Sequence, residues 1–296
     1  MVWNSPFSLP GTWYKGNLHT HTTQSDGERT PEQAIEWYGA HGYDFLAITD
    51  HWVHTTGQLV RPGLLLLSGA ELHGPGYHMV ALGARGLPDM ALADDPRALA
   101  DEVRLAGGLP FFAHPYWTGQ TVDDLLAAPA VAGIEVYNTV CDRAYGLGYA
   151  RVHWDGALSQ GKRLVGLATD DVHWRYGEEG KAFVMVRAEA LEERAILQAL
   201  ERGMFYSSTG PRILDLRLVE LPDGSRGLRV ACSPCRYITF HAHAYLGRRF
   251  WASDGPWLDA AIYPLRPELR YLRIECGDDR GGIAWTNPVF MADVFA

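Results

Sequence analysis

The sequence predicts an α/β protein: a parallel sheet covered on both faces, closed as a barrel or left as a doubly wound sheet, with a small antiparallel β region after it. Three observations predict it. Over about the first 210 of the 296 residues, short continuous apolar runs alternate with helix signals. Acidic and imidazole side chains gather at the C-terminal ends of those runs. Beyond Pro211 the pattern changes to short alternating strands divided by Asp-Gly turns.

Taken in order, residues 13–19 read as a first strand. Thr30-Pro31-Glu32 marks a helix start, with threonine at the cap and proline at the first position, and 34–40 continue it to near Gly42. Residues 45–49, 64–69 and 77–82 read as apolar strands. Asp95-Pro96 opens a helix to about Ala106 that stops at Gly107-Gly108. A strand is expected over 109–113, a short helix over 122–127, a strand over 134–137, one helix over 144–160 and a strand over 163–168. A strand over 182–186 and an amphipathic helix over 192–201 follow, and Phe205 to Pro211 reads as a turn closing this part. The remaining strands are 213–218, 228–231, 237–243 and 271–275, with turns at Asp223-Gly224, Asp254-Gly255 and 278–282. The expected division is 1–210 and 211–296, the second unit a small β-sandwich. No repeat or low-complexity linker separates the two, so they are expected to pack closely.

A composition of 47% hydrophobic and 21% charged residues excludes a disordered or collagen-like chain. Four cysteines in this length make no disulfide framework and fit a reducing compartment. The net charge of −9, from 26 basic and 35 acidic residues, argues against a nucleic-acid polymer or an anionic membrane as partner. No run approaches the roughly 20 apolar residues of a membrane helix. The opening Met1-Val2-Trp3-Asn4-Ser5-Pro6 lacks the basic flank and apolar core of a secretory signal. A soluble cytoplasmic protein is expected.

Most of the 12 histidines lie between His19 and His173, many beside an acid. Imidazole with carboxylate suits Zn, Mn or Fe better than Mg or Ca. His19 and His21 stand at i and i+2, on one face of a strand end, and Asp26 adds a carboxylate in the following turn. His241-Ala242-His243 has the same spacing but reads as ordinary strand alternation. In Asp50-His51, Asp50 reads as a helix N-cap and His51 as a ligand. Glu71 ends the next strand, where it could bridge two cations or make a surface salt bridge. His78 heads an apolar strand and, alone, would more often be a satisfied core histidine. His114-Pro115 ends a very apolar strand, and Asp170-Asp171-Val172-His173 repeats the acid–imidazole pairing. In a parallel barrel all these strand ends open on one rim, where active sites collect.

The ordered series "GNLHTHTTQSDG", "ITDH", "GAE", "GYHMVALG", "AHP" and "DDVH" resembles the PHP (polymerase and histidinol phosphatase) superfamily over about residues 13–210. It is most similar to the stand-alone hydrolases of the CehA/McbA-type branch, as is "AWTNPVF" near the C-terminus. The resemblance implies a distorted (βα)7 barrel holding two or three divalent ions, Zn, Mn or Fe. One ion would take His19, His21, Glu71 and Asp171, a second would share Glu71 and add His78 and His114, and a third would take Asp26, His51 and His173. Glu71, Asp171 and His173 would also carry the chemistry.

Such ions lower the pKa of water from 15.7 to about 7, giving a hydroxide nucleophile with no serine or cysteine needed. Three divalent ions against three carboxylates leave the site positive. A small anionic substrate, a phosphorylated metabolite or nucleotide, is therefore the first reading, with Arg143, Arg175 and Lys181 as phosphate contacts or plain surface charge. An ester, amide or carbamate hydrolase using the same centre is the alternative, since metals polarise a carbonyl as well as a phosphoryl group. A non-catalytic, metal-stabilised binding scaffold is the third, and chelation would separate it from the others. Glu135 reads as supporting or substrate-facing. His54 and His73 lie in rim loops, and His41 and His153 pack on helices or face solvent. Cys232 and Cys235 lack a second ligand pair and read as packing residues, and Trp251, Trp257 and Trp285 as core or interface. Oligomeric state is not legible.

Overall fold

Five strands in sequential order, Gly69–Gly74, Tyr77–Leu82, Leu109–Ala113, Gly133–Asn138 and Val165–Thr169, form the sheet that carries Glu71, His78, His114 and the Asp171-Val172-His173 motif. The computed structural model describes residues 3–252, 255 and 257–295. The expected turn residue Asp254 therefore lies outside the described residues. Both faces of this sheet are apolar, and the period of two divides them. Val80, Phe111 and Leu167 point to an inner core with Leu18, Phe45 and Val184. Met79, Phe112, Ile134 and Val136 point outward against Leu99, Val103, Leu125 and Trp154 of the covering helices.

The second sheet has eleven strands. Thr12–Asn17 lies beside Phe45–Ala47 and then Leu64–Leu67 and Gln58–Arg61 on one side, and beside Phe183–Ala188 and Phe205–Ser208 on the other. From Phe205–Ser208 it runs on without a break through Ile283–Thr286, Tyr271–Gly277, Tyr237–His241 and Arg248–Trp251. A third sheet, Ile213–Glu220, Arg226–Cys235 and Leu258–Pro264, packs its apolar face on that extension. No described helix is long and apolar enough to cross a membrane.

The expected helix starts at Thr30 and Asp95 hold. Thr30 caps Pro31–Ala40 by accepting from Gln33 N, and the Gln33 side chain returns the bond to Thr30 N. Asp95 caps Pro96–Leu105 through Arg97 N and Ala98 N.

Other expectations need correction. The single helix over 144–160 is two, Thr139–Tyr145 and Arg151–Ser159, because Gly146 takes φ 69° and ends the first. The strand over 64–69 breaks at Ser68, after which Gly69–Gly74 and Tyr77–Leu82 make a hairpin with a two-residue loop. The sheet is thus mixed rather than parallel. Phe205–Ser208 is a strand, not a turn.

Among the described residues the ladders do not close into a barrel. The two large sheets meet through isolated bridges instead, Thr20 to Val172 and His51 to Glu71. Those two seams lie within the motifs that hold the acids and imidazoles.

Candidate metal centre

Most candidate side chains sit at or just past a strand end; Glu71, expected at a strand end, is instead inside Gly69–Gly74, paired with Val80, and Asp26 lies in the turn after His21. His19 and His21 follow Thr12–Asn17, His51 follows Phe45–Ala47, and Glu71 and His78 lie in the hairpin. His114 follows Leu109–Ala113, and Asp171 and His173 follow Val165–Thr169. Of the five described non-glycine residues with positive φ, four belong to this rim: Trp52, His114, Asp171 and Trp174. Such backbone costs about 1–3 kcal/mol each and persists where surrounding structure imposes it.

Four donor atoms face one another at the centre. His19 Nε2 lies 3.1 Å from His21 Nε2, 3.3 Å from Glu71 Oε2 and 3.1 Å from Asp171 Oδ1. His21 Nε2 lies 3.2 Å and 3.1 Å from the same two oxygens. These five separations are close to the edges of about 3.3 Å in a tetrahedron with bonds of roughly 2.0 Å, and the four residues fall in two overlapping donor groups, His19 with His21 and Asp171, and His19 with Glu71 and His114. Glu71 Oε2 and Asp171 Oδ1 are buried and have no hydrogen-bond partner. Two orphaned carboxylate oxygens cost free energy that a cation between them would offset.

Glu71 is the hub. Its Oε2 also lies 3.0 Å from His51 Nδ1, and its Oε1 lies 2.9 Å from His78 Nδ1 and 3.3 Å from His114 Nε2. At the outer edge, Asp26 Oδ2 is 3.2 Å from His173 Nε2, and Asp26 Oδ1 is 3.8 Å from His51 Nε2 and 3.5 Å from His21 Nδ1. The chain brings all nine candidates into overlapping donor groups that differ from the expected partition: His19 and His21 group with Asp171 without Glu71, His114 groups with His19 and Glu71, His78 with His51 and Glu71, His21 joins Asp26, His51 and His173, and Cys141, which carries no motif signal, joins His114 and Asp171. Gly27 lets the Asp26 turn approach, since a Cβ there would meet the His21 carbonyl oxygen at 2.5 Å.

The electrostatics follow from burial and charge together. Burial disfavours a charged His21, but Asp171 and Glu71 more than reverse it and raise its pKa to about 9. His19 is driven the same way, burial opposing and Asp171, Glu71 and Glu135 prevailing. Burial works against a charged Glu71, yet the surrounding imidazoles hold its carboxyl well below the usual range.

Glu135 is buried on the inner face behind this cluster. His19 donates Nδ1–H to its Oε1 at 2.7 Å, which fixes the tautomer and turns the Nε2 lone pair toward the quartet. Thr169 Oγ1, the amide of His114 and Asn138 Nδ2 donate the other bonds. Asn138 was not legible as a site residue. It caps Thr139–Tyr145 through Cys141 N and braces both Glu135 and Asp171. Its only sequence signal is an asparagine where a strand passes into a helix. Glu135→Gln should weaken metal affinity roughly 10–100-fold, read by competitive titration with a chromogenic chelator. An unaltered affinity would mean that His19 needs no holder.

Asp50 caps no helix. It accepts from Thr22 N at 2.7 Å, Thr22 Oγ1 at 2.6 Å and Ser25 Oγ at 2.5 Å, and so anchors the loop that carries His21 and Asp26. His54 Nε2 bonds the Ala84 carbonyl at 2.8 Å. The ring of His73 stands 5.1 Å from those of both His51 and His78. Arg175 bonds the Asp26 carbonyl and lies 3.4 Å from Glu28. Arg143 bonds the carbonyls of Tyr176 and Gly177. Lys181 lines an outer cavity with Lys15, Trp37, His41 and Tyr43. Cys232 and Cys235 are buried, free thiols in the C-terminal core, joined there by Cys276. Trp285 is buried, whereas Trp251 and Trp257 are exposed.

No protein-family model matches the sequence, and neither does any curated protein. Among solved structures, the chain is similar to a two-domain protein from Bacteroides vulgatus containing a predicted PHP-like metal-dependent phosphoesterase: 16% identity, 98% of each chain covered, TM-score 0.52. It is also similar to a protein from Bifidobacterium adolescentis described provisionally as a metal-dependent phosphoesterase (16%, covering 64% of this chain and 96% of that one, TM-score 0.40). An amidohydrolase from Chromobacterium violaceum, solved with sulfate and no metal, matches at 17% over 53% of this chain and 87% of that one, TM-score 0.34. The first of these shares this chain's fold over nearly its whole length, in line with the PHP resemblance of the motifs.

Proposed function

We propose that this chain is a metal-dependent hydrolase of the PHP type, and within that class a phosphoesterase acting on a small phosphorylated metabolite or nucleotide. One observation carries the reading: the Nε2 atoms of His19 and His21 each lie 3.1–3.3 Å from Glu71 Oε2 and Asp171 Oδ1, with both carboxylate oxygens otherwise unpartnered. The donor set, five imidazoles around Glu71 with Asp171 and Asp26 beside them, suits two or three ions of Zn, Mn or Fe. When bound, such ions supply Lewis acidity that makes a water more acidic and offsets charge on an ester oxygen.

The residues do the rest. Glu135 holds His19 in one tautomer, and the Asp171 carbonyl, accepting from His173 Nδ1 at 2.8 Å, leaves His173 Nε2 facing Asp26. Glu71 ties all the groups into one unit, and Glu71, Asp171 and His173 are the residues we assign to the reaction centre. Of the three candidate phosphate contacts Arg175 is favoured only by its place at the Asp26 turn, since it too bonds a backbone carbonyl, that of Asp26, and lies 3.4 Å from Glu28. Arg143 is engaged by backbone carbonyls, and Lys181 faces the outer cavity. The finer assignments belong to the same proposal: a PHP-type barrel over 1–210, a C-terminal β unit over 211–296, and a cytoplasmic location, supported by four buried thiols without a disulfide.

The test is a substrate comparison in manganese- or zinc-loaded protein. Release of phosphate from aryl phosphates and nucleotides, with aryl carbamates and carboxylic esters left intact, is expected. Turnover of the carbamates or esters alone would move the activity to carbonyl substrates, and turnover of nothing would leave a metal-stabilised scaffold.

A further inference from the structure

Three of the histidines at the centre are each followed by a tryptophan: His51 by Trp52, His173 by Trp174, and His114, three residues on, by Trp117. The three indoles are not equivalent. Trp174 is half-buried, donates Nε1–H to the His21 carbonyl at 3.0 Å and lies under Arg29, with the guanidinium 4.3 Å from the ring centre. Trp52 is half-buried against the outer core beside the covering helices. Trp117 is 37% exposed, yet it is held tightly in place.

Its loop is a fixed turn. The Trp117 and Thr118 amides donate to the His114 carbonyl at 3.0 and 3.2 Å, and the Gln120 amide donates to that of Pro115 at 2.9 Å. The indole stands edge-to-face with two candidate ligands, 5.1 Å and 87° from His114, 5.7 Å and 80° from His78. On its other side is Tyr145, 60% exposed, at 5.9 Å and a tilt of 46°. Tyr145 is the last residue of Thr139–Tyr145, at the end that Gly146 terminates. Two large rings left in water beside a polar centre, each fixed by its backbone, lose little conformational freedom when they take up a flat partner.

We infer that Trp117 and Tyr145 form the subsite for the organic part of the substrate, and that this part is a planar aromatic group, an aryl ring or a nucleobase, rather than an alkyl chain. The inference rests on the hydrolase reading above and deepens it. Ring-on-ring contact rewards flat π systems, whereas a short alkyl group has no π face to set against the indole and the phenol. Trp117 is here a specificity-determining residue, not a catalytic one.

The test uses the full-length, manganese-loaded protein and two readouts. Calorimetry gives the Kd of phenylphosphonate against methylphosphonate, and kinetics give kcat/KM for phenyl phosphate, a nucleoside monophosphate and glycerol phosphate. The phenyl-to-methyl preference should be roughly tenfold, the scale of one good ring contact. Trp117→Ala should abolish it, Trp117→Phe should restore most of it, and Tyr145→Ala should reduce it independently. The nucleotide arm separates a base from a simple aryl ring. No phenyl preference, or a preference that survives Trp117→Ala, overturns the inference while leaving the hydrolase standing. If phosphonates do not bind and phosphoesters are not cut, the phosphoesterase reading falls, and the same aryl-to-alkyl comparison on carbamates and carboxylic esters decides the wall. If no ester of any kind is bound or cut, both fall.

Discussion

Glu71→Ala is expected to lower turnover about a thousandfold or more and to strip metal from the protein while the fold holds. Its carboxylate is the one group that contacts five imidazoles, those of His19, His21, His51, His78 and His114. Each candidate ligand group either contains it or shares a histidine with one that does. Removing a single histidine takes away at most its own contacts to two or three carboxylates; removing Glu71 takes away five at once. The backbone of Gly69–Gly74 keeps its ladder to Tyr77–Leu82, so strand pairing does not depend on this side chain. The imidazoles of His19 and His21 also lose a carboxylate that holds protons on them, and shift toward the neutral form. Glu71→Gln separates shape from charge: it keeps the volume and should fail almost as badly. Metal content after dialysis against manganese or zinc, phosphate release and a thermal melt together check this. A Glu71→Ala protein that keeps its metal and works within tenfold of wild type would remove the hub from the scheme.

What the sequence made legible, and what it did not, follows from the range of the interactions. His19 and His21 could be paired because i and i+2 share a face of a strand, and most of the remaining donors could be collected because they flank apolar runs, His78 at the head of one and His51, His114 and Asp171 past the ends of others. Asp50 was misread because a local rule, acid before a helix, was applied where the partners are Thr22 and Ser25, 28 and 25 residues upstream. The chain past Asp50 turns at Trp52, with φ 53°, instead of entering a helix. Glu135 stood out as an acid in an apolar strand, but that its two oxygens take bonds from His19, Thr169, His114 and Asn138 is tertiary information. The apolar runs around Glu71 and His78 report burial and not strand direction, so the antiparallel hairpin of Gly69–Gly74 and Tyr77–Leu82 is not legible from them. Phe205–Ser208 reads as a turn because its serines are polar. In the fold the Ser207 hydroxyl accepts from the Ala168 amide at 3.1 Å and donates to the Gly166 carbonyl at 2.7 Å, which satisfies it inside a buried strand.

Arg273→Ala is expected to cost about 3–5 kcal/mol of folding stability, a large share of what a protein of this kind possesses. Arg273 is fully buried on Tyr271–Gly277 and reaches across to Arg151–Ser159. It donates a fork to Asp155, Nε to Oδ1 at 2.7 Å and Nη2 to Oδ2 at 2.5 Å, and a third bond from Nη1 to Glu275 at 3.4 Å, with its guanidinium 4.8 Å from the Trp154 ring centre. Without it Glu275, also fully buried, keeps only Arg151 at 3.2 Å and His241 at 3.3 Å, and Asp155 loses its fork. Lysine should rescue poorly, because one ammonium cannot reproduce the planar pair of bonds. The pH dependence has a definite sign. Burial pushes the Glu275 carboxyl up, but His241, Arg273 and Arg151 overcome it and hold the group well below the usual carboxylate range. A depressed folded pKa contributes stability above the unfolded value of about 4.3 and loses it as pH falls toward the folded one. The gap between wild type and Arg273→Ala should therefore be widest near neutrality and shrink below about pH 4. Urea unfolding at both ends of that range checks it. A loss under about 1 kcal/mol at neutral pH would mean that the network contributes no more than an exposed ion pair does.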